Sequence, residues 1–235
     1  MILSTLQKKK YTFSLGLKLP PYLDSKHLQQ AATIINAYSK MVRYVASINT
    51  IGNALSVDPV SEAPFISSNN GLAGLSGPAV KYTALANVRQ MRNHLDAAID
   101  VVGVGGIETG EDAFLFLLCG ATAVQVGTCH WKEGPKCFDR ICDELKAIMA
   151  EKGYSKVDDI KGKLKAWSKE GAALTRAAKK KQQAEEEEEE ANKTDAAQEK
   201  KDEDYSLKMM NNILMVVIVA LLAQRYGLYE YLGLE

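Results

Sequence analysis

DVVGVGGIETGEDAFLFLLC, residues 100–119, holds a complete strand–turn–helix unit, and its reading decides the fold. The apolar run closes on Gly105-Gly106, Thr109 stands as a helix N-cap, and the helical GEDAFLFLLC stops at Gly120. A further run, AVQVGT at 123–128, predicts the next strand, ending in Gly127-Thr128. Pro135 then suits the first turn of a helix with the apolar face Phe138, Ile141, Leu145 and Met149, ended by Gly153. A last amphipathic piece runs from Ser155 to about Trp167.

The same unit recurs upstream. SLGLKL at 14–19 predicts a buried strand stopped by Pro20-Pro21, entered almost at once from the N-terminus. Asp24 is a candidate N-cap, and Leu28, Ala31, Ala32 and Ile35 line one face of the helix behind it. YVASIN at 44–49 is the second strand, and a helix is expected over about 83–97. Residues 54–72, with Pro59, Pro64 and SSNNG, lack helical periodicity and read as an excursion outside the repeat.

Repeated strand–helix units imply parallel pairing, because parallel neighbours need a crossover. The count is four units in about the first 168 residues. A closed (β/α)8 barrel needs eight strands and typically about 250 residues. The expected fold class is therefore α/β, the C-terminal half of such a barrel.

Beyond residue 168 the composition changes. Residues 169–206 pair a basic block, Lys179 to Lys181, with an acidic one, Glu185 to Glu190. Such a stretch is either a solvated helix held by i,i+4 charge pairs or a disordered one, and its composition favours a solvated linker. Residues 207–235 contain the uninterrupted apolar run Ile213 to Ala223, followed by Tyr226, Tyr229 and Tyr231. A spanning helix wants about 20 residues, so 209–228 is a candidate membrane anchor with interfacial tyrosines; the bland alternative is a helix packed on a partner.

Bulk properties exclude several classes. Lys+Arg and Asp+Glu both total 29, so no global charge favours nucleic acid. With 46% hydrophobic and 25% charged residues the composition is ordinary for a globular protein. Cys119, Cys129, Cys137 and Cys142 form no C-x-x-C pair, and His27, His94 and His130 show no ligand spacing, so no metal site is expected.

In a barrel the site lies at the C-terminal ends of the strands. Gly105-Gly106 and Gly127-Thr128 end consecutive strands there, where backbone N–H groups and the helix N-termini beyond can hold a phosphate. Most isolated glycine pairs merely make turns. Lys18, inside an apolar strand, would ordinarily snorkel to solvent, but facing inward it can stabilise an anionic reduced cofactor. Asn49 and Thr50 offer amide and hydroxyl groups to a polar planar ligand.

LGLKLPPYLD (15–24), SINTIGN (47–53), LAGLSG (72–77), TALANVR (83–89), GVGGIETGEDAF (103–114), LLCGATAVQVGT (117–128) and KEGP (132–135) together resemble the soluble, class 1, fumarate-type dihydroorotate dehydrogenases. The resemblance covers about residues 2 to 167. It implies oxidation of dihydroorotate to orotate in pyrimidine biosynthesis, with FMN as cofactor, fumarate as acceptor, and a cytoplasmic homodimer. It implies FMN contacts at Lys18, Ile48, Gly77, Gly105, Gly106, Gly127 and Thr128, and pyrimidine contacts at Asn49 and Thr50, where the branch often has serine. The family's catalytic cysteine lies in the N-terminal barrel half, and no segment here matches it. Neither Cys119 nor Cys129 is expected to replace it. The chain alone is thus expected to have little activity and to need a complementing barrel half; the alternative is an inactive, membrane-tethered flavin-binding or interaction module. Thr128-Cys129-His130-Trp131 departs from the usual Thr-Ala-Leu-His, and the tail beyond Trp167 has no counterpart in the family.

Overall fold

The computed structural model describes residues 2–226, which divide into one unit ending at Lys165 and a second beginning at Ala166. In chain order the first contains α1 (Ile2–Lys8), β1 (Leu15–Leu19), α2 (Ser25–Asn36), β2 (Val42–Ser47), β3 (Ile51–Leu55), β4 (Val57–Asp58), β5 (Ala63–Pro64) and β6 (Leu72–Leu75). It continues with α3 (Lys81–His94), β7 (Asp100–Val104), α4 (Gly110–Leu118), β8 (Ala123–Gln125), α5 (Thr128–Glu133) and α6 (Lys136–Glu151). The second unit holds α7 (Lys169–Tyr226).

β1, β2, β7 and β8 form a four-stranded parallel sheet in that order, with helical crossovers between them, as half a (β/α)8 barrel requires. The register explains which side chains meet. Leu17, Val45 and Val101 stand opposite one another and join Leu28, Val88, Met91 and Phe116 in the main apolar cluster. Lys18, Ala46, Val102 and Ala123 are the next residues along each strand, so they point to the other face. That alternation puts the Lys18 side chain on the inner side of the sheet.

Caps fix where the helices begin. Asp24 Oδ1 accepts from His27 N at 2.9 Å and starts α2, which buries Leu28, Ala32 and Ile35. At α4, Thr109 Oγ1 accepts from Asp112 N while Asp112 Oδ2 accepts from Thr109 N, a reciprocal capping box. Phe116 of α4 is fully buried, which contributes about 3 kcal/mol at the upper end for such a side chain. Buried Asn87 of α3 exchanges two 2.9 Å hydrogen bonds with the backbone of Tyr22 and so ties the turn after β1 to the core. Both polar ends of the amide are satisfied, which removes the cost of burying it.

Several expectations need correction. The chain enters a seven-residue helix, α1, before its first strand. The excursion at 54–72 carries strands the sequence did not announce: β3 pairs antiparallel with β6, and β4 with β5, so it forms an arm of two small antiparallel pairs. In α6 the buried residues are Cys137 and Ile141, with Leu145, Ile148 and Met149 half-buried, whereas Phe138 is 43% exposed and stacks on His130. The stretch after Ser155 forms only a 3-10 turn at Val157–Asp159, and Gly162, at φ 73, turns the chain where a helix would continue. Ile160 nonetheless anchors this stretch against Phe114 and Leu117.

The charged segment and the apolar run are one element. α7 is continuous from Lys169 to Tyr226, with i,i+4 pairs such as Lys181–Glu185 at 3.4 Å and Lys208–Asp204 at 2.6 Å. Of the two states its composition allowed, the charged segment takes the helical one, because Ala, Glu, Lys and Gln are strong helix formers when no Gly or Pro interrupts them. Tyr229 and Tyr231 lie outside the described residues.

Candidate functional site

A cavity of about 310 Å³ opens at the C-terminal ends of the four parallel strands, within the usual range for small-ligand sites, ~300–1,000 Å³. Each strand delivers one part of it. β1 contributes Lys18; the segment after β2 contributes Ile48, Asn49 and Thr50; β7 leads into Gly105 and Gly106; β8 leads into Gly127 and Thr128. Gly77 arrives from the β3–β6 arm. All nine residues singled out in the sequence therefore line one space.

Lys18 Nζ donates to the Ile48 carbonyl oxygen at 3.0 Å, crossing from β1 to the end of β2. Burial pushes its pKa down from the ordinary lysine value. Ile48 N donates to Val104 O at 2.9 Å and Asn49 N to Leu19 O at 2.8 Å, so the backbone after β2 is held by both neighbouring strands. Asn49 Oδ1 accepts from Thr50 N at 3.0 Å, and the Thr50 side chain lies against Gly74 of β6. The peptide bond between Ser47 and Ile48 is cis.

The glycines divide into two kinds. Gly106 has φ +75, and a Cβ there would meet Gly77 O and Lys81 Cβ, each at 2.8 Å, so the fold itself demands glycine. Gly127 has φ −119 and nothing within 4 Å of a Cβ position. No contact among the described residues explains it. The space beside Gly127 is a cradle that a ligand can fill, bringing its atoms close to the main chain.

The two helix N-termini also differ. α4 is closed: Gly110 N donates to Glu144 Oε2 at 2.7 Å, and Asp112 N to Thr109 Oγ1 at 3.1 Å. The Gly110 N–H and the Arg140 guanidinium hold Glu144 below the usual carboxylate range. Its first turn also carries Glu111 and Asp112, so the helix beyond Gly105-Gly106 does not offer the positive end expected from sequence. α5 starts at Thr128 with no side-chain cap. Any anion at this end of the cavity meets the backbone around Gly127 rather than α4.

Four polar or aromatic lining residues escaped the sequence reading: Ser76, Glu108, Gln125 and Trp131. Ser76 Oγ accepts from Thr128 Oγ1 at 3.1 Å and so links the arm to α5. Glu108 pairs with Lys132 at 2.7 Å at the rim. Gln125 had a usable signal, a polar side chain inside the apolar AVQV, and it stands in register with Val104 on the inner face. Trp131 is 89% exposed although it borders the cavity. Ile48, Val80, Val104 and Ile107 supply an apolar wall.

The cysteines do not join the cavity. Cys119 is the buried C-cap residue of α4, and burial raises its pKa. Cys129 is the buried residue of α5 itself, where burial and then Glu133 push its thiol up to about 11. A thiol in that state is a poor base or nucleophile at neutral pH. Among the described residues no cluster of His, Cys, Asp and Glu is arranged to hold a metal.

Comparison with known proteins gives a consistent result. The family model for dihydroorotate dehydrogenase matches residues 1–149. Dihydroorotate dehydrogenase A (fumarate) of Lactococcus lactis subsp. cremoris strain MG1363 is 49% identical over 164 residues, 68% of this chain and 52% of the relative. The putative dihydroorotate dehydrogenase A (fumarate) of Streptococcus uberis is 48% identical over 154 residues, 66% of this chain and 48% of the relative. In structure, DHODH from Eimeria tenella in complex with ferulenol superposes with a TM-score of 0.52 at 29% identity, covering 64% of this chain and 38% of that one. The chain spans about half the length of the curated relatives it matches.

Proposed function

The chain belongs to the dihydroorotate dehydrogenase family, and on that footing we propose that its first unit is the FMN-seating half of an enzyme that oxidises dihydroorotate to orotate with fumarate as acceptor. The observation that carries this reading is the convergence of Lys18, Ile48, Asn49, Thr50, Gly77, Gly105, Gly106, Gly127 and Thr128 on one cavity at the strand ends.

The residues present fit a phosphorylated flavin. The open main chain at Gly127 and the Thr128 hydroxyl suit the phosphate, since Gly127 has no steric partner in the protein. Ile48, Val80 and Val104 suit the flat face of the ring, and Lys18 brings a cation to the inner side of the sheet. Bound FMN would supply the two-electron acceptor for the substrate's C–H bond.

The protein's own part is binding and orientation. Lys18 is fixed by the Ile48 carbonyl, and its charge, set where water is partly excluded, favours a negative neighbour. Asn49 and Thr50 sit beside it with an amide and a hydroxyl that can hold the pyrimidine's imide edge. No side chain in this cavity is assigned as the base that takes the substrate proton, since the buried Cys119 and Cys129 are held as thiols away from it.

The test is a titration of the purified full chain with FMN and with riboflavin, read by flavin fluorescence. FMN is expected to bind at least about tenfold tighter, the worth of one or two charge-assisted hydrogen bonds to the phosphate. A folded chain that binds neither, or both equally, overturns the reading.

A further inference from the structure

We propose that the C-terminal stretch of α7 crosses a lipid bilayer, making this a membrane-anchored member of a family whose model matches residues 1–149. α7 lies beyond that match, and within Lys200–Leu222 it holds a stretch long and apolar enough to span, none of it buried.

The pattern of the apolar residues selects the partner. From Ile213 to Leu222 every residue is apolar, and Ile213, Leu214, Met215, Val216, Val217 and Ile218 are between 41% and 69% exposed. Successive residues turn by about 100° on a helix, so this run presents apolar groups on every side. A helix that docks in a groove or pairs with a second copy needs only one apolar stripe and keeps a polar face for water. Lipid covers all sides at once. An all-round apolar surface therefore fits a bilayer and not a protein groove.

Length and flanking charges agree. Leu207 to Ala223 is 17 residues, which at about 1.5 Å per residue spans roughly 25 Å, the short end of the range for a bilayer crossing. The ends are marked by charge: Lys208 pairs with Asp204 at 2.6 Å on one side, and Gln224-Arg225 follow on the other. Lys208 has a stem long enough to carry its ammonium to the headgroups. Asn211 and Asn212 fall in the first turns of the span, near the interface rather than at the centre. The charged stretch before them, unbroken helix from Lys169, cannot enter hydrocarbon and would remain in water.

The experiment adds the full chain during cell-free synthesis to phosphatidylcholine–phosphatidylglycerol vesicles and separates bound protein by flotation, then by alkaline carbonate wash. The expected result is flotation that survives carbonate, and its loss by at least tenfold in the double variant Val217→Asp, Val219→Asp. The helical content and thermal transition of that variant should match those of the parent chain, which separates lost insertion from lost folding. Flotation abolished by carbonate, or a parent chain that stays in the soluble fraction as a monomer or defined dimer, overturns the proposal. So does a double variant that still resists carbonate.

Discussion

Lys18 of β1 and Ile48 just beyond β2, which both line the cavity, are joined by a 3.0 Å hydrogen bond from the ammonium to the carbonyl oxygen. The contact spends one of three ammonium protons and leaves the others for a ligand.

The partial desolvation of Lys18 has a pH signature. The folded chain holds Lys18 below its ordinary 10.5, so between the lowered value and 10.5 the unfolded chain binds more protons. Stability contributed at this site therefore rises with pH through that window. Lys18→Met, which keeps the stem and removes the charge, should lack this rise, so the Tm difference between variant and parent shifts in the parent's favour as pH increases. A pH-independent difference would show that Lys18 titrates normally.

Lys81 and Asp112 form a 2.7 Å ion pair, with side chains 24% and 8% exposed, that links α3 to the capping box of α4. Burial raises the Asp112 pKa, but the Lys81 hydrogen bond, the Glu108 and Thr109 N–H groups and the Lys81 charge outweigh it and hold it below the usual 3.8. This contribution is present above the unfolded value and disappears as pH falls through the folded one, so acid unfolding should steepen below about pH 4. Asp112→Ala removes both the cap and the partner of Lys81 and should cost about 3 kcal/mol in urea unfolding at pH 7. It should also flatten the acid limb.

Gly106→Ala and Gly127→Ala should separate structure from binding. The first places a Cβ against Gly77 O and Lys81 at φ +75 and should destabilise by about 2 kcal/mol or more. The second meets open space and should leave thermal unfolding unchanged while weakening FMN binding about tenfold or more. Equal FMN affinity in Gly127→Ala would mean that the cradle holds nothing.

Trp131 borders the cavity yet is 89% exposed, so its removal costs the fold little. It lies three residues after Thr128 and thus on the same side of α5. Trp131→Ala should preserve Tm, abolish most of the indole fluorescence quenching on adding FMN, and lower FMN affinity severalfold. Quenching that persists undiminished would place the flavin away from α5.

Much of this protein was legible locally. The N-caps Asp24 and Thr109, the strand ends and the glycine pairs each depend on residues within a turn of one another, where φ/ψ preference and capping chemistry act directly. The excursion at 54–72 was legible but its pairing was not, because β3 and β6 pair across about twenty residues, and a lone short strand carries too little alternation to announce its partner. For the charged part of α7 the sequence left helix and disorder both open, because charged helices lack the apolar period on which recognition rests.

The order of residues alone determined the four parallel strand–helix units and the positions of Lys18, Asn49, Gly106 and Gly127, because periodicity and turn chemistry are written in neighbouring residues. Only the tertiary structure decided that Ser76, Glu108, Gln125 and Trp131 would border the same space. It also decided that α4 would be closed by Glu144 from a helix 34 residues away, while α5 would begin without a side-chain cap. Those outcomes follow from how crossovers and the returning arm bring distant strand ends together, and no local pattern encodes that distance.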